Sequence, residues 1–320
     1  DSCLAQAVIF ILREMGFVNV THVRSSAEAI QAIRSRAVSF LITEWDMKGG
    51  SGLDLVRFLR RSEDSPNRGL PIIMLTGRGE LADVQAARDV GITEFVVKPF
   101  TAQTLYMRLE QIIDNPRNFV VSNHYVGPER RRRGLPPPGV ADRRVAKPVA
   151  ALPSREAFKR PPGEPPVIFA PDFSLHQALG LDKPLASLIT PDVLREAQQA
   201  IDGMSEESLK WIREDLAAME ASYGALETAY SLSAHEALKA VALSIKARSG
   251  TFGYRMASDV ARLLYLFLCA DFSPSNPRHL VVIQKHMEVL MVIFARKIKD
   301  REGIGAELYQ ELERLVSMNK

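Results

Sequence analysis

Chemistry in this chain concentrates in arginine. Glu129 leads directly into Arg130, Arg131, Arg132 and Arg133, and a second acid–arginine unit follows at Asp142, Arg143 and Arg144. Arginine presents a planar fork of donors that fits phosphate oxygens or the O6 and N7 edge of guanine, while a carboxylate suits the N1–H and N2–H₂ donors of that base. Two such units, joined by a Pro/Gly spacer, could clamp a ligand carrying two guanines and two phosphates. Two other readings stay open: a solvated basic linker, and a contact for RNA, DNA or acidic lipid. No aromatic residues interleave the run, which weakens single-strand stacking as the purpose. Four adjacent arginines also repel one another, so residues 125–145 are expected to be mobile without an anion.

The remaining reactive side chains are sparse. Cys3 and Cys269 form neither a CxxC pair nor a metal-ligand spacing, which argues for a reducing, cytoplasmic setting and against zinc or a disulfide framework. His286 has no motif neighbours, and both it and His235 read as packing or surface histidines. No basic leader precedes the first apolar residues, and no apolar run approaches the roughly 18–20 residues that a membrane span needs.

Charge and proline divide the chain into parts. Of 19 prolines, 11 lie in residues 116–166, where 11 basic residues face 4 acidic ones although the whole chain carries only +3. The 320 residues, 46% hydrophobic and 25% charged, suggest two globular bodies flanking that segment. The expected boundaries are 1–115, a linker at 116–170 with little order of its own, and 171–320.

In the first part, short β-branched runs at Val18–Val23, Val38–Thr43, Pro71–Leu75 and Glu94–Val97 alternate with helical patterns at 2–15, 26–36, 52–62, 80–90 and 102–113. Ser25 and Glu28 have the spacing of a capping box. The alternation implies a doubly wound α/β domain with a parallel sheet. In the last part the period is helical throughout. Thr190-Pro191 and Ser205-Glu206-Glu207 open the first two helices, and others fall near 232–248, 254–270, 278–299 and 304–318. An all-α bundle is expected.

Three anchors, "FLITEWDMKGGSGLDLVRFLR", "LPIIMLTGRGE" and "GITEFVVKPFTAQTL", make the first part resemble the CheY-like receiver domain of bacterial response regulators. The resemblance implies a flavodoxin-like sheet ordered 2-1-3-4-5, with Thr76 and Lys98 as phosphate-sensing residues and Phe95 as the aromatic switch. The family's first strand is not found in this chain, so four strands are expected, with an open position between 18–23 and 38–43. At the family's phosphoacceptor position stands Glu44, whose carboxylate reaches one C–C bond further than an aspartate's; Lys48 stands where proline is usual, and Asp1 lies at or beside the acidic pair that would hold magnesium. Two readings of Glu44 remain, a permanent mimic of the phosphorylated state and a relic paired with Lys98; neither calls for magnesium.

Tyr125, Gly127, Pro128, Glu129, Arg130–Arg133 and Asp142–Arg144 resemble the arginine-rich extension of cyclic di-GMP-binding CheY-like proteins. Residues 232–256 resemble a histidine-phosphotransfer (HPt) motif through Lys246, Ser249 and Gly253, with Leu243 at the histidine position and Ala247 at the following glycine. The combined expectation is a non-enzymatic, cytoplasmic signalling adaptor with kinase, receiver or motor-type partners, no obligatory cofactor and a site for cyclic di-GMP. The alternatives are an active phosphorelay protein and a nucleic-acid-binding regulator.

Overall fold

The computed structural model describes residues 2–47, 50–130, 165–169 and 174–319. The chain forms two compact units. Thr21–Val97 and Gln103–Asp192 make a sheet unit; the residues up to Val20, Lys98–Ala102 and the residues from Val193 onward make a helical unit.

The helical unit opens with α1 (Ser2–Glu14), whose Cys3, Leu4, Ala7, Val8, Ile11 and Leu12 are buried on one stripe. In the sheet unit, α2 (Ser26–Ser35) starts where the Ser25 hydroxyl accepts the Glu28 N–H at 3.2 Å, and the Glu28 carboxylate reaches back to the Arg24 N–H at 3.0 Å. β1 (Leu41–Glu44) leads through the short ribbon β2 (Asp46–Met47) and β3 (Gly50–Ser51) into α3 (Gly52–Arg61). β4 (Ile72–Thr76), α4 (Leu81–Asp89), β5 (Glu94–Val97) and α5 (Ala102–Ile113) follow. The parallel sheet is ordered β1-β4-β5; β4 is buried along its whole length, as a strand covered on both faces must be.

Three strands replace the expected four. Val18–Val23 forms no strand, because no strand among the described residues offers it a hydrogen-bonding partner. Val18 itself is 78% exposed. The three that form keep the third-fourth-fifth order of the expected topology.

The expected linker also needs correction at both ends. β6 (Phe119–Val121) pairs antiparallel with β7 (Val126–Pro128) on one side and with β8 (Val167–Phe169) on the other. Phe119, Val121, Val126 and Phe169 form a small apolar core, and residues 126–130 belong to the described structure beside it. Two short helices that periodicity does not reveal, α6 (Ser174–Ala178) and α7 (Leu185–Leu188), are tied to the end of α5 by Asp114. Its carboxylate accepts the Leu185 N–H at 2.9 Å and the Ala186 N–H at 3.2 Å, and meets His176 Nε2 at 2.9 Å.

The helical unit continues with α8 (Pro191–Gly203), α9 (Ser205–Thr228), α10 (Leu232–Thr251), α11 (Arg255–Ala270), α12 (Pro277–Ala295) and α13 (Ile304–Ser317). Ile212 and Met219 are fully buried on α9, with Leu216 packed beside them at the edge of the core. Ala242 of α10 and Ala257 and Ala261 of α11, all fully buried, let those two helices approach closely. α12 ends at Ala295, short of the expected 299, because Lys297 turns the chain at φ 53°.

Candidate functional site

The parallel register places the ends of the strands together. Glu44 closes β1 opposite Leu75, and Thr76 closes β4 opposite Val97 of β5. Lys98 follows β5 directly and is buried. Three positions singled out in the sequence thus stand at the carboxyl ends of adjacent strands, where open α/β sheets bind ligands. Phe95, two residues before the end of β5, is half-buried against the core.

Local bonds fix this edge. The Thr76 hydroxyl accepts the Arg78 N–H at 3.0 Å. Arg78 also pairs with Asp46 at 3.2 Å and lies over the Trp45 ring at 5.7 Å. Gly52, at the start of α3, passes so close to Glu44 that any Cβ there would lie 1.8 Å from the Glu44 carbonyl oxygen. Only glycine fits, and the Gly52 N–H donates to Trp45 O at 2.7 Å. At this edge Asp46 is paired with Arg78, and the described residues gather no three His, Cys, Asp or Glu side chains that could hold a metal ion. Asp1 and Lys48 lie outside the described residues.

A second constellation forms around β7. The Tyr125 hydroxyl donates to Pro128 O at 2.6 Å, and burial pushes its pKa upward against the pull of Arg130. The Arg130 guanidinium lies over the Tyr125 ring at 4.1 Å and pairs with Asp89 at 3.0 Å, while Arg88 donates to Arg130 O at 2.9 Å. Glu129 accepts from Asn118 Nδ2 at 3.1 Å, and its carbonyl accepts from Arg117 Nη1 at 3.0 Å. Tyr125 and Arg130 therefore come together, while the Glu129 carboxylate bonds Asn118. Arg131, Arg132, Arg133, Asp142, Arg143 and Arg144 lie outside the described residues.

Beneath this constellation sits Arg60, which sequence reasoning passed over. It is fully buried, donates from Nε to Gly91 O at 2.8 Å and from Nη1 to Arg68 O at 2.7 Å, and lies 5.5 Å from the centre of the Phe119 ring. Its Nη2 is buried with no hydrogen-bond partner, and desolvation pulls its pKa down to about 10. One signal was available: Leu53, Val56 and Arg60 share the buried stripe of α3, so an arginine occupies an apolar position. Gly91, at φ +95°, and Gly127 let β7 approach here; a Cβ on Gly91 would lie 2.4 Å from Val126 O.

In the helical unit Leu243 is half-buried on α10. Lys246 is half-buried, with its pKa lowered first by desolvation and then by Arg262. Ser249 is fully buried and donates to Ile245 O, and Gly253 makes the following turn at φ +85°. Arg248 and Ser244 both bond Asp215 of α9, a buried cluster with no sequence signal. Both unassigned histidines are packing residues. His235 Nε2 lies 3.0 Å from Leu268 O with its ring 4.9 Å from Phe272, and His286 is fully buried with Nδ1 2.7 Å from Val282 O.

The comparisons agree with the strand-edge geometry. The response regulator receiver domain matches residues 1–110. The chain is 33% identical over 113 residues to the chemotaxis protein CheY of Pseudomonas aeruginosa, covering 35% of this chain and 90% of that protein. It is 30% identical over 113 residues to the chemotaxis protein CheY-3 of Vibrio cholerae, covering 35% of this chain and 85% of that protein. No helix among the described residues is long and apolar enough to cross a membrane. A parallel receiver region followed by a helical bundle makes this a signalling protein of the two-component type, and through residues 1–110 the chain belongs to the response regulator receiver family.

Proposed function

We propose that the protein is a non-catalytic signalling adaptor that binds protein partners, such as a kinase, and is modulated by cyclic di-GMP at its arginine-rich segment. The observation that carries the first half is the strand edge itself. Glutamate closes β1, and the neighbouring Asp46 is paired with Arg78. In-line phosphoryl transfer depends on positioning, and the extra methylene of Glu44 carries its carboxylate about one C–C bond further than an aspartate's. On α10, Leu243 offers no atom that can accept a phosphoryl group. Intact mass after incubation with a small-molecule phosphodonor and Mg²⁺ tests this. Unchanged mass is expected; an adduct on Glu44, Asp46, His235 or His286 would make the protein an active phosphorelay component.

The ligand half is supported by the Tyr125–Arg130 stack, which fixes the plane of one guanidinium. A stacked, tethered arginine loses less freedom on binding than a free one. Calorimetric titration with cyclic di-GMP should show binding that Arg130→Ala and Arg143→Ala each weaken about tenfold, the scale of one bidentate guanine contact. Lys147→Ala should weaken it less, since lysine lacks the planar fork. If pGpG or GTP bind equally well, or the arginine substitutions change nothing, the segment is a basic linker. A steep salt dependence with DNA or RNA would make it a nucleic-acid contact instead.

A further inference from the structure

Within the helical unit, the five residues that follow β5 rest on helices far along the chain. Ala102 is fully buried, and its N–H, in the unsatisfied first turn of α5, donates to Gln198 Oε1 of α8 at 3.0 Å. The amide of Gln198 is oriented for this by its other end, since Nε2 donates to Asp202 Oδ1 at 3.0 Å. Phe100 is 2% exposed. Pro99 lies against Gly250 of α10 so closely that a Cβ on Gly250 would sit 2.5 Å from Pro99 Cγ and 2.8 Å from Ser258 Oγ. Ser258, on α11, forms the floor of this notch by donating to Lys246 O at 2.8 Å. The missing side chain at Gly250 is therefore the space that one edge of Pro99 occupies.

We infer that Lys98–Ala102 is a self-docking loop, held by α8, α10 and α11, and that seating it keeps Lys98 out of reach of protein partners. The seat includes the Ala102–Gln198 hydrogen bond and the Gly250 notch, and Pro99 stays exposed on its other face. Surface seats of this kind open locally without global unfolding. The helices thus act as a gate on the residue that directly follows β5. This goes beyond the adaptor reading and does not depend on the arginine-rich segment or its ligand.

Amide exchange of the full-length chain, with amine-reactive labelling of Lys98 read by peptide mass spectrometry, tests the seat. Gly250→Ala should raise exchange at Phe100–Ala102 and labelling of Lys98 by about tenfold or more, with β4 amides unchanged. Gln198→Leu, which removes the acceptor at nearly constant size, should raise exchange at Ala102. Adding Pro99→Gly to Gly250→Ala takes away the colliding ring and should restore much of the Lys98 protection. The inference is overturned if both single variants leave residues 98–102 as protected as wild type. It is also overturned if Gly250→Ala loosens α10 and α11 generally and Pro99→Gly restores nothing, because the glycine then serves helix packing alone.

Discussion

Two buried charges, one in each unit, are held in opposite ways. In the sheet unit Arg60 is fully buried against backbone, bonding the carbonyls of Gly91 and Arg68. In the helical unit Asp215 is buried against side chains, accepting from Arg248 Nη1 at 2.8 Å and the Ser244 hydroxyl at 3.1 Å. The backbone explains the difference. Interior N–H and C=O groups of long helices such as α9 and α10 are already paired in the i→i+4 ladder, so a buried carboxylate there finds its donors on side chains. The turns around β4 and β5 leave carbonyls unclaimed, and a guanidinium can serve two of them at once. A pair of side chains can be removed together by mutation, whereas a carbonyl cannot be removed.

The largest effect should come from Arg60. Arg60→Ala leaves the Gly91 and Arg68 carbonyls without their donor and opens a cavity beside Phe119, so a loss of about 3–5 kcal/mol in urea unfolding is expected. Arg60→Lys should recover only part of it, since one ammonium replaces a two-pronged contact. A loss below about 1 kcal/mol would show that water satisfies the turns unaided and would dissolve the contrast.

The next effect sharpens the comparison. Asp215→Leu or Arg248→Met alone strands a buried charge and should cost about 2–4 kcal/mol, but the double replacement should cost less than either single one. Additive losses would mean that Arg248 is held mainly by its longer 3.3 Å contact to Trp211 O, and so by backbone after all.

The smallest effect is one of pH, and it has two opposing halves. Burial between α9 and α10 pushes the Asp215 carboxyl up to about 6, outweighing Arg248 and Ser244. The folded state then holds that proton more tightly than the unfolded one, so the contribution is complete below about pH 4 and lost as pH rises to about 6. Burial pulls His286 down to about 4. Its contribution is complete above about pH 6.5 and lost as pH falls to about 4. Relative to wild type, Asp215→Asn should gain stability on going from pH 4 to 6 and His286→Leu on going the other way, each by about 1–3 kcal/mol. Parallel curves for wild type and both variants would refute the assignment.

What the sequence revealed follows from the range over which each signal acts. The apolar run of β4, the amphipathic stripe of α3 and the periods of α9 to α13 are local patterns, and they place those elements within a few residues. β6 and β7 have three residues each, too few to show a period, and β8 owes its pairing with β6 to a partner across a proline-rich stretch, so no window of sequence contains its reason to form. The same holds at the site. Glu44, Thr76 and Lys98 were legible through the resemblance carried by their motifs, and strand order then sets them at adjacent strand ends. The Arg78–Asp46 pair and the Asp89 partner of Arg130 join separate turns, which only the folded chain brings together. Val18–Val23 has the composition of a strand and no strand to bond, so composition misled there.

The small antiparallel sheet has a topological consequence. Pro128 leaves it opposite Phe119 on one side of β6, and Val167 re-enters opposite Val121 on the other. Two strand spacings across and two residues along put those points roughly 12 Å apart, while roughly 40 residues join them. A fully extended chain would cross that gap with about four residues. A cut in the backbone between residues 131 and 164 would divide the polypeptide without dividing the sheet: the C-terminal fragment would still lend β8 to β6 and still hang from Asp114 by two backbone amides and His176. At this place the molecule is a split protein in waiting, one whose two halves recognise each other by strand complementation rather than by their peptide bond.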